Sequence, residues 1–89
     1  MYSVEFSKEL ERKLAKIQKK NKRQFEILLK KVREIKENPE HYKPLRYDLK
    51  NFKRVHVGKS FVLIYEIIGD KVVFLDIDHH DVIYRKKLR

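Results

Sequence analysis

The sequence predicts an α+β domain: an antiparallel sheet of about four strands with an N-terminal helical hairpin packed on one face, in the order β-α-α-β-β-β. Three observations lead there. The first residues alternate apolar with polar, two stretches of helical periodicity follow, and the second half holds three strand-like runs punctuated by the chain's two glycines. A chain of 89 residues buries only roughly 60–65% of its unfolded surface, too little to divide between two cores. Residues 1–89 are therefore read as a single domain.

Each element has its own justification. Tyr2, Val4 and Phe6 alternate with Ser3 and Glu5, the period of a half-buried strand. Ser7 then offers a side-chain oxygen to the free N–H groups of a helix, with Glu9 favourably placed in its first turn. Leu10, Leu14 and Ile17 form one apolar stripe of a helix that ends near Asn21. Phe25, Leu28, Leu29, Val32 and Ile35 form the stripe of a longer helix, which Asn38-Pro39 stops because proline disfavours helical geometry in the residue before it. Both helices are narrow-faced and need a surface to cover that face. Phe52–Val57 reads as a strand with Val55 and Val57 pointing one way and Arg54 and His56 the other. Gly58-Lys59 turns the chain into the near-continuous apolar run Phe61–Ile68, a central strand, and Gly69-Asp70 turns it again into Val72–Ile77. Continuing the alternation with Val73, Leu75 and Ile77 inward puts Asp76 and Asp78 outward, and His80 joins them if the chain stays extended.

Composition narrows the chemistry. There is no cysteine, hence no disulfide framework, zinc-thiolate site or thiol nucleophile, and packing alone must hold the fold. No apolar run is long enough to span a bilayer and the start lacks a secretory pattern, so the expected location is the cytoplasm, without membrane attachment. A formal net charge of +10 favours polyanionic partners. Between His41 and Ser60 six basic residues, Lys43, Arg46, Lys50, Lys53, Arg54 and Lys59, face the single acid Asp48. The lysines of the helices are interspersed with glutamates and read as a solvated face.

Two groups of residues carry candidate chemistry. Arg54 and His56 share the polar face of their strand, and Asp78-His79-His80-Asp81 is followed by Tyr84 and Arg85. Histidine, tyrosine and cations around a basic cleft are the parts needed to cleave RNA without a metal. One group removes the 2′-hydroxyl proton, another protonates the departing 5′ oxygen, and cations balance the charge of the transition state. Histidine, with an ordinary pKa near ~6.5, fills either proton role, and a tyrosine ring can stack on a base. Blander readings stand beside these. His79 can cap the sheet edge, Tyr84 can anchor the tail with Val82 and Ile83, and Arg54 and His56 can be a solvated strand face. A metal is not expected, because adjacent histidines in a strand point to opposite faces.

The run from Lys43 to Gly58, the strand Phe61-Val-Leu-Ile-Tyr-Glu-Ile and the ending His79-His-Asp-Val-Ile-Tyr-Arg together resemble the RelE/ParE superfamily of toxin–antitoxin toxins over essentially the whole chain. For the RelE branch the resemblance implies a ribosome-dependent mRNA endoribonuclease that inhibits translation by metal-independent 2′-hydroxyl attack, with no cofactor. It also implies a RelB-like antitoxin partner in a toxin–antitoxin hetero-oligomer. Arg54 and His56 match two basic positions of the family, and Tyr84 matches its C-terminal tyrosine. Two departures stand out: Val62 and His80 occupy positions where the family commonly has arginine. The expected catalytic set is His80, Tyr84, Arg54 and His56, with Lys50, Lys53, Lys59, His79 and Arg85 binding RNA phosphate. A ParE-like gyrase-inhibiting toxin and a non-catalytic RNA-binding module of the same fold remain as alternatives.

Overall fold

The computed structural model describes residues 1–43 and 52–85. The elements run β1 (Ser3–Phe6), α1 (Lys8–Lys20), α2 (Lys22–Glu37), a 3₁₀ turn (Pro39–His41), β2 (Phe52–Val57), β3 (Phe61–Ile68), β4 (Lys71–His79) and α3 (His80–Arg85). Arg46, Asp48 and Lys50 of the basic segment lie outside the described residues. No helix among the described residues is long and apolar enough to cross a membrane.

The four strands form one sheet in the order β1-β4-β3-β2. The pairs β2/β3 and β3/β4 are antiparallel, as tight turns require, but β1 runs parallel to β4. The sheet is thus mixed, where a wholly antiparallel one was expected. Side-chain alternation reports which face a residue occupies and is blind to strand direction, which here follows from how the helical hairpin returns the chain. The two glycines work at the turns: Gly58 and Gly69 have φ of 67° and 61°, the left-handed region that other residues enter only at a cost.

One face carries the main core. Leu10 of α1 and Leu28, Val32 and Ile35 of α2 pack on Val55, Val57, Leu63, Tyr65, Val72, Phe74 and Ile77. Tyr65 spends its polar end on the 3₁₀ turn, donating from its hydroxyl to the Pro39 carbonyl at 2.6 Å. Burial first, and then the neighbouring Tyr42 and Glu40, push this phenol far above its ordinary pKa, which keeps it a neutral donor.

A bulge in β4 overturns part of the expected alternation. Tyr65 stands opposite Phe74 while Ile64 stands opposite Asp76, leaving Leu75 as the extra residue. Val72, Phe74 and Ile77 therefore face the helices, and Leu75 lies on the other face with Phe52, Val62, Ile64 and Ile83. The expectation that Val73, Leu75 and Ile77 share the inner face fails because one inserted residue inverts a period-two pattern.

The second face is not bare either. The chain after His79 winds into α3, and Ile83, 1% exposed, closes a small cluster over Val62 and Ile64. His80 opens this helix, so the extended continuation envisaged for it does not occur.

Candidate active site

The site grows from β2 and α3. Burying Val55 and Val57 beneath the helices leaves Arg54 and His56 on the opposite face, as the alternation requires. The Arg54 backbone N–H donates to the Lys43 carbonyl at 3.1 Å, which ties this edge of the sheet to the preceding segment. Its guanidinium carbon lies 6.0 Å from the centroid of the Tyr84 ring, within cation–π range. The Arg54 Nε is buried with no hydrogen-bond partner among the described residues. An unmet donor of that kind costs about 1–3 kcal/mol, and such costs gather where a fold is organised for a ligand.

Tyr84 is the centre of the group. One turn back along α3, the spacing that aligns side chains on a helix face, His80 sets its ring edge-on to Tyr84, with centroids 6.0 Å apart at 78°. The His80 Nδ1 lies 3.0 Å from the Asp81 Oδ1. That contact sets a carboxylate beside the imidazole, where it can orient the ring. Tyr84 thus neighbours both Arg54 and His80, and rests half-buried on the Ile83 cluster. His56 is exposed two residues along from Arg54, opposite Val62 in register.

The remaining expected residues scatter around this group. Lys59 and Ser60 meet His79, His80 and Asp81 around a hollow of about 210 Å³. His79 leans over Phe61 with ring centroids 4.5 Å apart. Arg85 donates from Nε to the Asp81 carbonyl at 3.0 Å, within α3. Lys53 points away from Arg54 and donates to the Tyr42 carbonyl at 3.0 Å, so it lies apart from the Arg54, Tyr84 and His80 group. Lys50 lies outside the described residues. Val62, which stands where the superfamily commonly has arginine, is fully buried in the cluster closed by Ile83; that position is apolar core here.

Sequence reasoning missed Lys13. Strand β1 ends at Phe6, so the outer edge of β4 lacks a partner strand beyond Phe74. Ser7 covers the first part: its N–H donates to the Phe74 carbonyl at 2.9 Å and its hydroxyl to the Leu75 carbonyl at 2.6 Å, while the same oxygen accepts from the Leu10 N–H at the start of α1. Lys13 covers the rest, donating to Asp76 at 2.7 Å, Asp78 at 3.1 Å and the Ile77 carbonyl at 3.1 Å. Burial alone would lower the Lys13 pKa; the hydrogen bonds and charges of Asp76 and Asp78 outweigh it and raise the value. The two carboxylates, which alternation had sent out towards Arg54, are held by this ammonium, which lessens their repulsion of a nearby anion. One sequence signal existed: Lys13 sits beside Leu14 and three residues after Leu10, on the margin of the buried stripe.

Comparison with known proteins agrees with the fold. The family described as "ParE toxin of type II toxin-antitoxin system, parDE" matches residues 4–84. A relative from Methanocaldococcus jannaschii, named "Putative toxin RelE4", is 47% identical over 89 residues, covering 98% of this chain and 95% of the relative. The RelBE2 toxin–antitoxin complex of Mycobacterium tuberculosis contains a chain 25% identical, with a TM-score of 0.72 over 89% of this chain and 98% of that one. The intact RelBE complex of E. coli contains one 18% identical, with a TM-score of 0.75 over 89% of this chain and 96% of that one, which shows a shared fold. The chain therefore belongs to the ParE toxin family of type II toxin–antitoxin systems, within the wider RelE/ParE superfamily.

Proposed function

We propose that this toxin is a ribosome-dependent mRNA endoribonuclease acting by metal-independent 2′-hydroxyl attack, and that Arg54, Tyr84 and His80 form its reacting centre. The observation that carries this reading is a phenol with a guanidinium and an imidazole each about 6 Å from its ring, and a buried arginine nitrogen with no hydrogen-bond partner among the described residues. His80 takes the 2′-hydroxyl proton through Nε2, steadied by Asp81 at Nδ1. The oxygen so freed attacks the adjacent phosphorus. Arg54 balances the charge that develops on the phosphoryl oxygens. The bond to the 5′ oxygen breaks as that oxygen takes a proton from His56, which is exposed on the same face. Tyr84 positions the reacting nucleotide by stacking.

The decisive experiment measures cleavage of ribosome-bound message. Replacing His80 by Ala is expected to slow it by about 10²–10⁴-fold, and Tyr84→Ala to slow it as well; unchanged cleavage in both variants removes the proposed centre. The antitoxin is proposed as an acidic protein encoded alongside, suited to a chain of net charge +10.

A second reading has its own support. The matching family is described as ParE, and Val62 leaves the site one arginine short of the superfamily pattern. A toxin that inhibits DNA gyrase by binding would need neither that arginine nor His80. A supercoiling assay run beside the translation assay separates the two: inhibition of gyrase with intact messages establishes the second.

A further inference from the structure

We propose that the outer face of His79, backed by Phe61, is a stacking subsite for a nucleobase beside the scissile phosphodiester of a single-stranded RNA, with Lys59 holding the adjoining phosphate. The inference rests on the nuclease reading for its choice of ligand and goes beyond it in adding a base-reading position.

Phe61 and His79 are directly opposed residues of β3 and β4. Their rings lie 4.5 Å apart between centroids and tilt by 30°, close enough to parallel to act as one slab. Phe61 is half-buried and packs against the helix-side core, while His79 is exposed. The slab is thus anchored on one side and open on the other. Its position is fixed, because the next residue, His80, donates from its backbone N–H to the Ser60 carbonyl at 3.0 Å and starts the helix that carries Tyr84. The slab lies on the helix side of the sheet and meets the reacting group around the end of β4, where His79 and His80 line one hollow with Lys59, Ser60 and Asp81, while the His80 ring also faces Tyr84.

That combination suits a flexible, unpaired strand. Single-stranded nucleic acid is held by aromatic or imidazole platforms on which bases stack, together with cations that follow the backbone. Stacking is tolerant of base identity, so this subsite extends the bound strand past the reacting phosphate without dictating one codon. Lys59, at the turn closed by Gly58, provides a point charge suited to a phosphate oxygen.

The test uses the whole chain and a single-stranded oligoribonucleotide carrying 2-aminopurine beside a 2′-deoxy residue, which blocks cleavage. Stacking quenches 2-aminopurine fluorescence. The wild-type chain is expected to quench it, and His79→Ala to abolish the quenching and weaken the Kd about tenfold or more. His79→Phe should retain both, and Lys59→Gln should keep the quenching while flattening the dependence on salt. The proposal is overturned if the wild type does not bind or quench, if His79→Ala behaves as wild type, or if His79→Phe is as weak as His79→Ala, since stacking would then not be what His79 contributes. Quenching that depends on His79, found together with intact ribosome-bound message, upholds the subsite and removes the nuclease reading. Full cleavage by wild type with oligonucleotide binding indifferent to His79 does the reverse.

Discussion

Arg54 and Lys13 show how differently two cations can serve one small fold. Arg54 keeps a buried nitrogen without a hydrogen-bond partner among the described residues, a local cost. Replacing it by Met is expected to leave stability unchanged or raise it by about 1 kcal/mol, while phosphate binding is lost. Urea denaturation beside an oligonucleotide titration checks both halves, and a marked loss of stability would show that the guanidinium is structural. Lys13 is the opposite case: its removal takes the neighbouring ammonium from Asp76, which is 4% exposed. Lys13→Met should cost about 2 kcal/mol, less than a fully buried pair because the lysine is partly solvated. The pH dependence follows from the direction of its shift. A lysine whose pKa is raised by folding contributes its full stabilisation below the ordinary value of 10.5 and loses it only as pH climbs through the higher folded value. The difference between wild type and Lys13→Met should thus stay flat from pH 6 to 9 and shrink only above about pH 10.5; thermal melts across that range would expose a decline at neutral pH.

At the scale of elements, α3 decides whether there is a site at all. It is only six residues long, too short to hold itself together as a free helix, and Ile83 anchors it on Val62 and Ile64. Ile83→Ala is expected to cost about 2–4 kcal/mol and to release Tyr84 and His80 from Arg54. Hydrogen exchange should then rise first in α3 and leave the β3/β4 ladder protected, whereas exchange rising equally everywhere would mean that α3 is not a separate unit. The β3–β4 turn tests backbone chemistry alone. A Cβ at Gly69 meets nothing within 4 Å, yet its φ is +61°, so Gly69→Ala should lower stability by about 1 kcal/mol through conformation and not through collision.

Across the whole molecule, the net charge of +10 sets affinity and its dependence on salt more than it sets the fold. A chain neutralising about four phosphates of a single strand would lose about 50-fold in affinity between 50 and 200 mM salt. A salt titration that stayed flat would mean that the basic surface does not meet nucleic acid. The same charge makes an acidic partner a natural complement, and co-expression with the neighbouring reading frame should yield a complex that associates more slowly as salt rises.

Much of this was legible along the chain. Alternation in β1 and β2, the apolar stripes of α1 and α2, the Ser7 cap and the two glycine turns each depend on residues a few positions apart, so the α+β class and the opposed faces of Arg54 and Val55 follow from local physics. Three things did not, because each depends on contacts between distant segments. The parallel placement of β1 against β4 joins the two ends of the chain. The bulge at Leu75 inverts a face without any mark in the local pattern. The third is Lys13, whose reach to Asp76 and Asp78 exists only because α1 crosses the edge that β1 leaves open. Sequence alone determined which residue types were present to do chemistry; packing decided that Tyr84 would lie beside both Arg54 and His80, and that His79 would turn away to lie on Phe61.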